Sequence, residues 1–169
     1  VESGDSHDRF RNRLMFPISD SRGRTIGFGA RALDDSEPKY INSSETPIFN
    51  KSSVLYGINL AREAIKRQEL AVIVEGYMDV ITAHQNSFGN VVASMGTSVT
   101  EKQILAIKKL TKNLVFALDA DAAGKEATMH GVGYENTIGN EVKVVILPKG
   151  KDPDDVIKKD TKTWQYLLD

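Results

Sequence analysis

The chain has 169 residues, 40% hydrophobic and 27% charged, the composition of one ordinary globular domain or of one domain with a smaller neighbour. It lacks cysteine, which excludes disulfides and thiolate metal sites, and no apolar run approaches the roughly 20 residues of a membrane span. A net charge of −1 argues against a generic polyanion coat, whose affinity needs an excess of clustered cations.

The charge is unevenly spread. The chain opens on the polar stretch VESGDSHD with no signal-like start, and we expect a segment of a longer protein in a cytosolic setting. All eight arginines lie at or before Arg67, and six fall between Arg9 and Arg31, where Asp20 is the only acid. Arginine's planar fork suits phosphate and carboxylate recognition. A solvated arginine-rich surface is the plainer reading. Met15–Ser19 and Thr25–Phe28 read as two short strands joined by the polar turn DSRGR. From Asp34 to Ser53 no period holds, Pro38 and Pro47 interrupt, and the embedded Tyr40, Ile41, Ile48 and Phe49 favour an ordered loop that packs on something. Asn59–Glu69 reads as a helix.

From Leu70 onward strands and helices alternate. Leu70–Val74 is an apolar strand ending at Glu75 and Gly76, and Tyr77–Gln85 reads as a helix. Asn90–Ser94 is a second short strand. Thr100–Leu110 reads as an amphipathic helix in which Thr100 and Gln103 form a capping box. Asn113–Leu118, apolar without alternation, has the pattern of a strand buried on both faces. Ala122–Glu135 reads as a third helix of this region, and Glu141–Leu147 as a fourth strand that stops at Pro148. Such alternation implies right-handed crossovers and a parallel α/β sheet.

In open α/β sheets functional groups collect beyond the carboxyl ends of the strands. Acidic features stand at three such ends: Glu75, the Asp119/Asp121 pair, and the run Asp152, Asp154 and Asp155. Asp79 follows Glu75 by four residues and shares its helix face. Two carboxylates crowded at one strand end repel unless a hard divalent cation lies between them. Capping of the next helix is the plainer reading of that pair.

EGYMDV (75–80), ASMGTS (93–98), DADAAG (119–124) and KDPDD (151–155) together resemble the Toprim domain in the form found in bacterial replicative primases of the DnaG type. MFPISDSRGRTIGFGAR (15–31) and PKYINSSETPIF (38–49) resemble the part of the primase catalytic core that precedes it, so the likeness spans roughly residues 9–160. The family pattern has glycine between the two aspartates, where Ala120 stands here; alanine costs little there at negative φ.

The resemblance implies a parallel four-stranded Toprim sheet with flanking helices over 58–155. Before it, over 1–57, it implies the last part of a smaller, basic α+β subdomain, and after it, over 156–169, the start of a following helical segment. Trp164 is expected to pack on that next part of the parent protein. The resemblance also implies DNA-templated synthesis of short RNA primers by metal-dependent nucleotidyl transfer. Glu75, Asp119 and Asp121 are the implied cation ligands, with Asp152 and Asp154 further candidates, and Asp79 and Asp154 added to the catalytic set. Magnesium is the implied ion, with manganese able to substitute; the family's zinc module is not in this chain. Lys39, Asn42 and Lys51 are implied at the nucleotide, and Arg11, Arg13 and Arg31 at template phosphates or the triphosphate tail. Implied partners are single-stranded DNA template, ribonucleoside triphosphates and, through a region absent from this chain, the replicative helicase, all in the bacterial cytoplasm at the replisome with no membrane.

Other readings stay open on the residues alone. A topoisomerase- or nuclease-like Toprim enzyme shares the acidic pattern. An aspartyl phosphatase also runs an apolar strand into DxD, but at the start of its domain. A non-catalytic nucleic-acid-binding module would keep the fold and lose the acids. His7, His84 and His130 have no partner at ligand spacing.

Overall fold

Two sheets organise the chain in the computed structural model, which describes residues 8–96, 98–118 and 142–169. The first sheet is antiparallel. β1 (Arg13–Ser19) and β2 (Thr25–Ala32) form a hairpin whose turn is held by Asp20. The Asp20 carboxylate accepts from the Arg22 and Arg24 amides at 2.9 and 3.0 Å and pairs with the Arg24 guanidinium at 2.7 Å. β3 (Tyr40–Asn42) adds to the far side of β2, with Asn42 opposite Gly29.

Here the structure departs from the sequence pattern. The strand expected over Thr25–Phe28 continues to Ala32, and its continuation pairs with a strand inside the segment that showed no period. Glycine hides both. Gly27 and Gly29 carry no side chain to mark an alternation, and packing requires them. A Cβ on Gly27 would stand 3.0 Å from the Phe49 ring, and one on Gly29 would stand 2.2 Å from the Tyr77 hydroxyl.

The second sheet is parallel, with strands in the order β5-β4-β6-β7: β4 (Ala71–Val74), β5 (Val91–Ala93), β6 (Leu114–Leu118) and β7 (Val142–Ile146). β4 and β6 are buried along their whole length, as continuous apolar runs predict. Successive residues feed opposite sides. Ala71, Ile73, Leu114, Phe116 and Leu118 enter one core with α1 (Ile58–Gln68) and α3 (Glu101–Lys108). Val72, Val74, Val115 and Ala117 enter the other, with α2 (Tyr77–Gln85), α4 (Pro153–Lys159) and α5 (Thr161–Leu168). Each fully buried Ile, Leu, Val or Phe in these cores contributes about 1.5–3 kcal/mol over leaving it exposed.

The Thr100/Gln103 capping box forms as expected: the Thr100 hydroxyl accepts from the Gln103 amide at 3.3 Å, and the Gln103 side chain accepts from the Thr100 amide at 3.0 Å. The helix stops at Lys108, short of Leu110. Gln103 is fully buried and also donates to the Val54 carbonyl at 2.9 Å, fastening the irregular segment to the α/β unit. The helix expected over Ala122–Glu135 lies outside the described residues.

Trp164 corrects an expectation. Instead of facing a following part of the parent, it is fully buried in this chain's own core, edge-on to Phe88 at 6.4 Å. Asp160 caps α5 by accepting from the Lys162 and Thr163 amides, and this turns the helix back onto the sheet. Among the described residues no helix is long and apolar enough to cross a membrane.

Candidate active site

The acidic wall begins where β4 ends. Glu75, half-buried, is the first residue past the strand, and Gly76 in extended backbone is the N-cap of α2. Glycine brings no capping side chain, so the cap comes from within the helix: Asp79 Oδ2 accepts from the Gly76 amide at 2.9 Å. The other Asp79 oxygen accepts from the Asp154 amide at 3.1 Å. One buried carboxylate thus ties the turn that carries Glu75 to the start of α4.

That start is acidic by design of its cap. Asp152 accepts from the Asp155 amide at 2.7 Å, and Pro153 follows at the first helical position, where its missing N–H costs nothing. Asp154 accepts a hydrogen bond from the Thr82 hydroxyl and pairs with Lys158 at 2.7 Å. The hydrogen bond to Asp154 raises the Lys158 pKa. Next to Glu75, the chain leaving β5 turns through Met95 at φ 64° and Gly96 at φ 75°. A left-handed methionine costs of order 1–3 kcal/mol, and the Met95 amide donates to the Glu75 carbonyl at 3.0 Å.

The basic wall comes from the other sheet. Arg31 at the end of β2 lies 5.7 Å over the Tyr40 ring, while Lys39, Tyr40 and Asn42 come from β3 and the residue before it. These four line a cleft of about 500 Å³ together with Glu75, Asp79, Asp152 and Asp154, and with Gly76, Tyr77, Met78, Met95 and Gly96. Two cationic side chains, Arg31 and Lys39, and four carboxylates line one space. That pairing is what a metal-bound triphosphate needs.

Not every expected residue lines it. Arg13 donates to the Pro38 and Lys39 carbonyls at 2.9 and 3.4 Å, so it supports the basic wall from behind. Arg11 is exposed and outside the cleft. Lys51 stands behind Asn42, and burial lowers its pKa. Asp119 and Asp121 lie outside the described residues. Among the described residues no group of three or more acidic or histidine side chains is arranged to hold a cation. The donor chemistry nevertheless fits a hard ion, since every titratable group on the acidic wall is a carboxylate. Tyr77, Met78 and Met95 were missed from the sequence; the paired glycines of β2 were the one signal that a side chain inserts there.

A small antiparallel sheet beside a four-stranded parallel α/β sheet of Toprim type defines the fold class. Residues 72–157 match the Toprim-like family and residues 1–62 the N-terminal domain of the DNA primase catalytic core. A DNA primase of Clostridium acetobutylicum is 47% identical over 158 residues, 92% of this chain and 26% of the relative. The Aquifex aeolicus primase structure, with its zinc-binding and RNA polymerase domains, matches at 38% identity and a TM-score of 0.88 over 98% of this chain and 42% of that one. A DnaG primase catalytic domain bound to single-stranded DNA matches at 38% identity and a TM-score of 0.89, over 99% and 56%. The chain belongs to the Toprim-like family, in the form that follows the N-terminal domain of a DNA primase catalytic core. It spans about a quarter of the length of the curated relatives it matches.

Proposed function

We propose that this chain is the chemical centre of a DNA primase, which makes short RNA primers on a single-stranded DNA template by nucleotidyl transfer. The 3′-hydroxyl of the growing strand attacks the α-phosphate of a ribonucleoside triphosphate; the new P–O bond forms as the bond to pyrophosphate breaks, and the hydroxyl proton passes to water. The observation that carries this reading is a cleft lined both by Arg31, Lys39 and Asn42 and by Glu75, Asp152 and Asp154.

Glu75, with Asp119 and Asp121, is proposed to hold magnesium or manganese, Asp152 and Asp154 bounding the same site, and the ion supplies the charge neutralisation that an anionic α-phosphate needs. The protein's own groups do the rest. Lys39 and Arg31 take the β- and γ-phosphates, Asn42 orients the nucleotide, and Asp79 holds the two acidic turns at a fixed spacing. Arg11, exposed and outside the cleft, is proposed to reach template phosphates, with Arg13 bracing the Pro38–Lys39 backbone beside it. In the parent, this centre acts with the replicative helicase, through a region outside this chain, in the bacterial cytoplasm.

The test is primer synthesis by the parent with Glu75→Gln. The charge is lost and the shape kept, so synthesis should fall at least a hundredfold while the urea midpoint of unfolding stays put, on the usual scale for loss of transition-state charge stabilisation. Near-normal synthesis would remove Glu75 from the site. A Toprim nuclease or topoisomerase would instead cleave DNA in the same assay with nucleotide omitted.

A further inference from the structure

Tyr77 sits where the two walls meet, and the chemistry proposed above does not use it. It is the first residue of α2, two positions after Glu75, so it moves with the acidic wall. Its ring, however, inserts under the basic sheet. It stacks on Phe16 at 4.8 Å with the planes 6° apart, and Tyr56 meets it edge-on at 4.7 Å. β2 opens for it at Gly29, where a methyl would stand 2.2 Å from the phenol oxygen.

The hydroxyl at the end of this buried ring, on a residue only 4% exposed, reaches the Asn42 side chain. Burial first, and the Tyr56 hydroxyl beside it, raise the phenol's pKa and keep it neutral. Neighbouring groups assign the amide: its nitrogen donates to the phenol oxygen and to the Ile41 carbonyl at 3.2 Å, and its oxygen accepts from Lys51 Nζ at 3.3 Å. A chain of contacts therefore runs from the Glu75 turn through Tyr77 and Asn42 to Lys51.

We propose that Tyr77 is a positioning residue whose hydroxyl fixes the Asn42 amide in the lining of the cleft, with Lys51 held behind it. The proposal rests on the nucleotide reading of that cleft. Without the hydroxyl, the amide nitrogen keeps only the Ile41 carbonyl, so the amide and the acceptor it offers the Lys51 ammonium are held less firmly.

The test is a double-mutant cycle on ATP affinity in manganese buffer, measured by calorimetry on the chain. Tyr77→Phe keeps the stacked ring and should weaken ATP about tenfold, the scale of one neutral hydrogen bond. On an Asn42→Ala background the same substitution should cost nothing further. Equal losses on both backgrounds would mean that the ring acts through packing alone, and would overturn the proposal. So would wild-type affinity in Tyr77→Phe. Lys39→Ala separates the two levels, since Lys39 lines the cleft from the residue before β3. If Lys39→Ala weakens ATP and Tyr77→Phe does not, only the Tyr77 assignment falls. If neither weakens it, the nucleotide reading falls with it.

Discussion

Asp79 shows how much one buried carboxylate can organise. Its two oxygens serve the Gly76 and Asp154 amides, in two different turns. Asp79→Asn keeps one oxygen and presents an amide N–H₂ to the other N–H, so one backbone donor loses its partner. The expected cost is about 1–3 kcal/mol, read as a drop in the urea midpoint. Gly29→Ala should be at least as damaging, because its methyl must displace the Tyr77 hydroxyl or open the β1–β2 hairpin; overpacking of this kind costs about 1–3 kcal/mol. Asp160 makes a pH prediction. The Thr163 hydroxyl first, then the Lys162 amide, lower its pKa from the ordinary 3.8. Its stabilising effect is therefore complete above that value and fades as pH falls through the lowered one. The melting temperature of Asp160→Ala should lie below wild type at neutral pH, and the two should converge in strong acid.

Among the elements, α3 tests the link between the irregular segment and the α/β unit. Thr100→Ala removes the cap acceptor and the hydroxyl that donates to the Ser52 carbonyl, and should cost about 1 kcal/mol. If the segment hangs on α3, protease nicking near Lys51 should rise in the same variant. The elements that were easiest to read are those whose sequence carries their own burial. The all-apolar Ala71–Val74 and Leu114–Leu118 announce a parallel sheet, and Thr100 with Gln103 announces a helix start. β3 was illegible because three residues carry no period, and the second half of β2 because glycine leaves nothing to count. Trp164 was misassigned for a different reason. A tryptophan on a short amphipathic helix shows that it is buried, but not against which surface, and only the fold supplies Phe88 as its neighbour. At the site, Glu75 and Asp154 could be read from strand ends. Tyr77 could not, because its partners Phe16, Gly29 and Asn42 lie 35 or more positions away in the chain.

Taken whole, the molecule is two sheets of opposite character that share one cleft. Local carboxylates and the basic wall are present, so manganese and nucleotide should bind to residues 1–169 alone. On the proposed function, aligning two substrates on a template draws on surfaces outside the quarter of the relatives' length that this chain spans, and proximity and orientation are worth roughly 7–11 kcal/mol of a barrier. Primer synthesis by the isolated chain should therefore fall orders of magnitude below that of the parent, while manganese binding, read by water-proton relaxation, stays close to it. The most direct test is to soak crystals of the chain with manganese and ATP and to locate the metal by its anomalous scattering. A peak within ligand distance of the Glu75 carboxylate, with the triphosphate reaching Lys39 and Arg31, is the predicted result. Manganese and nucleotide bound anywhere else, with the Glu75 edge of the cleft empty, would contradict it.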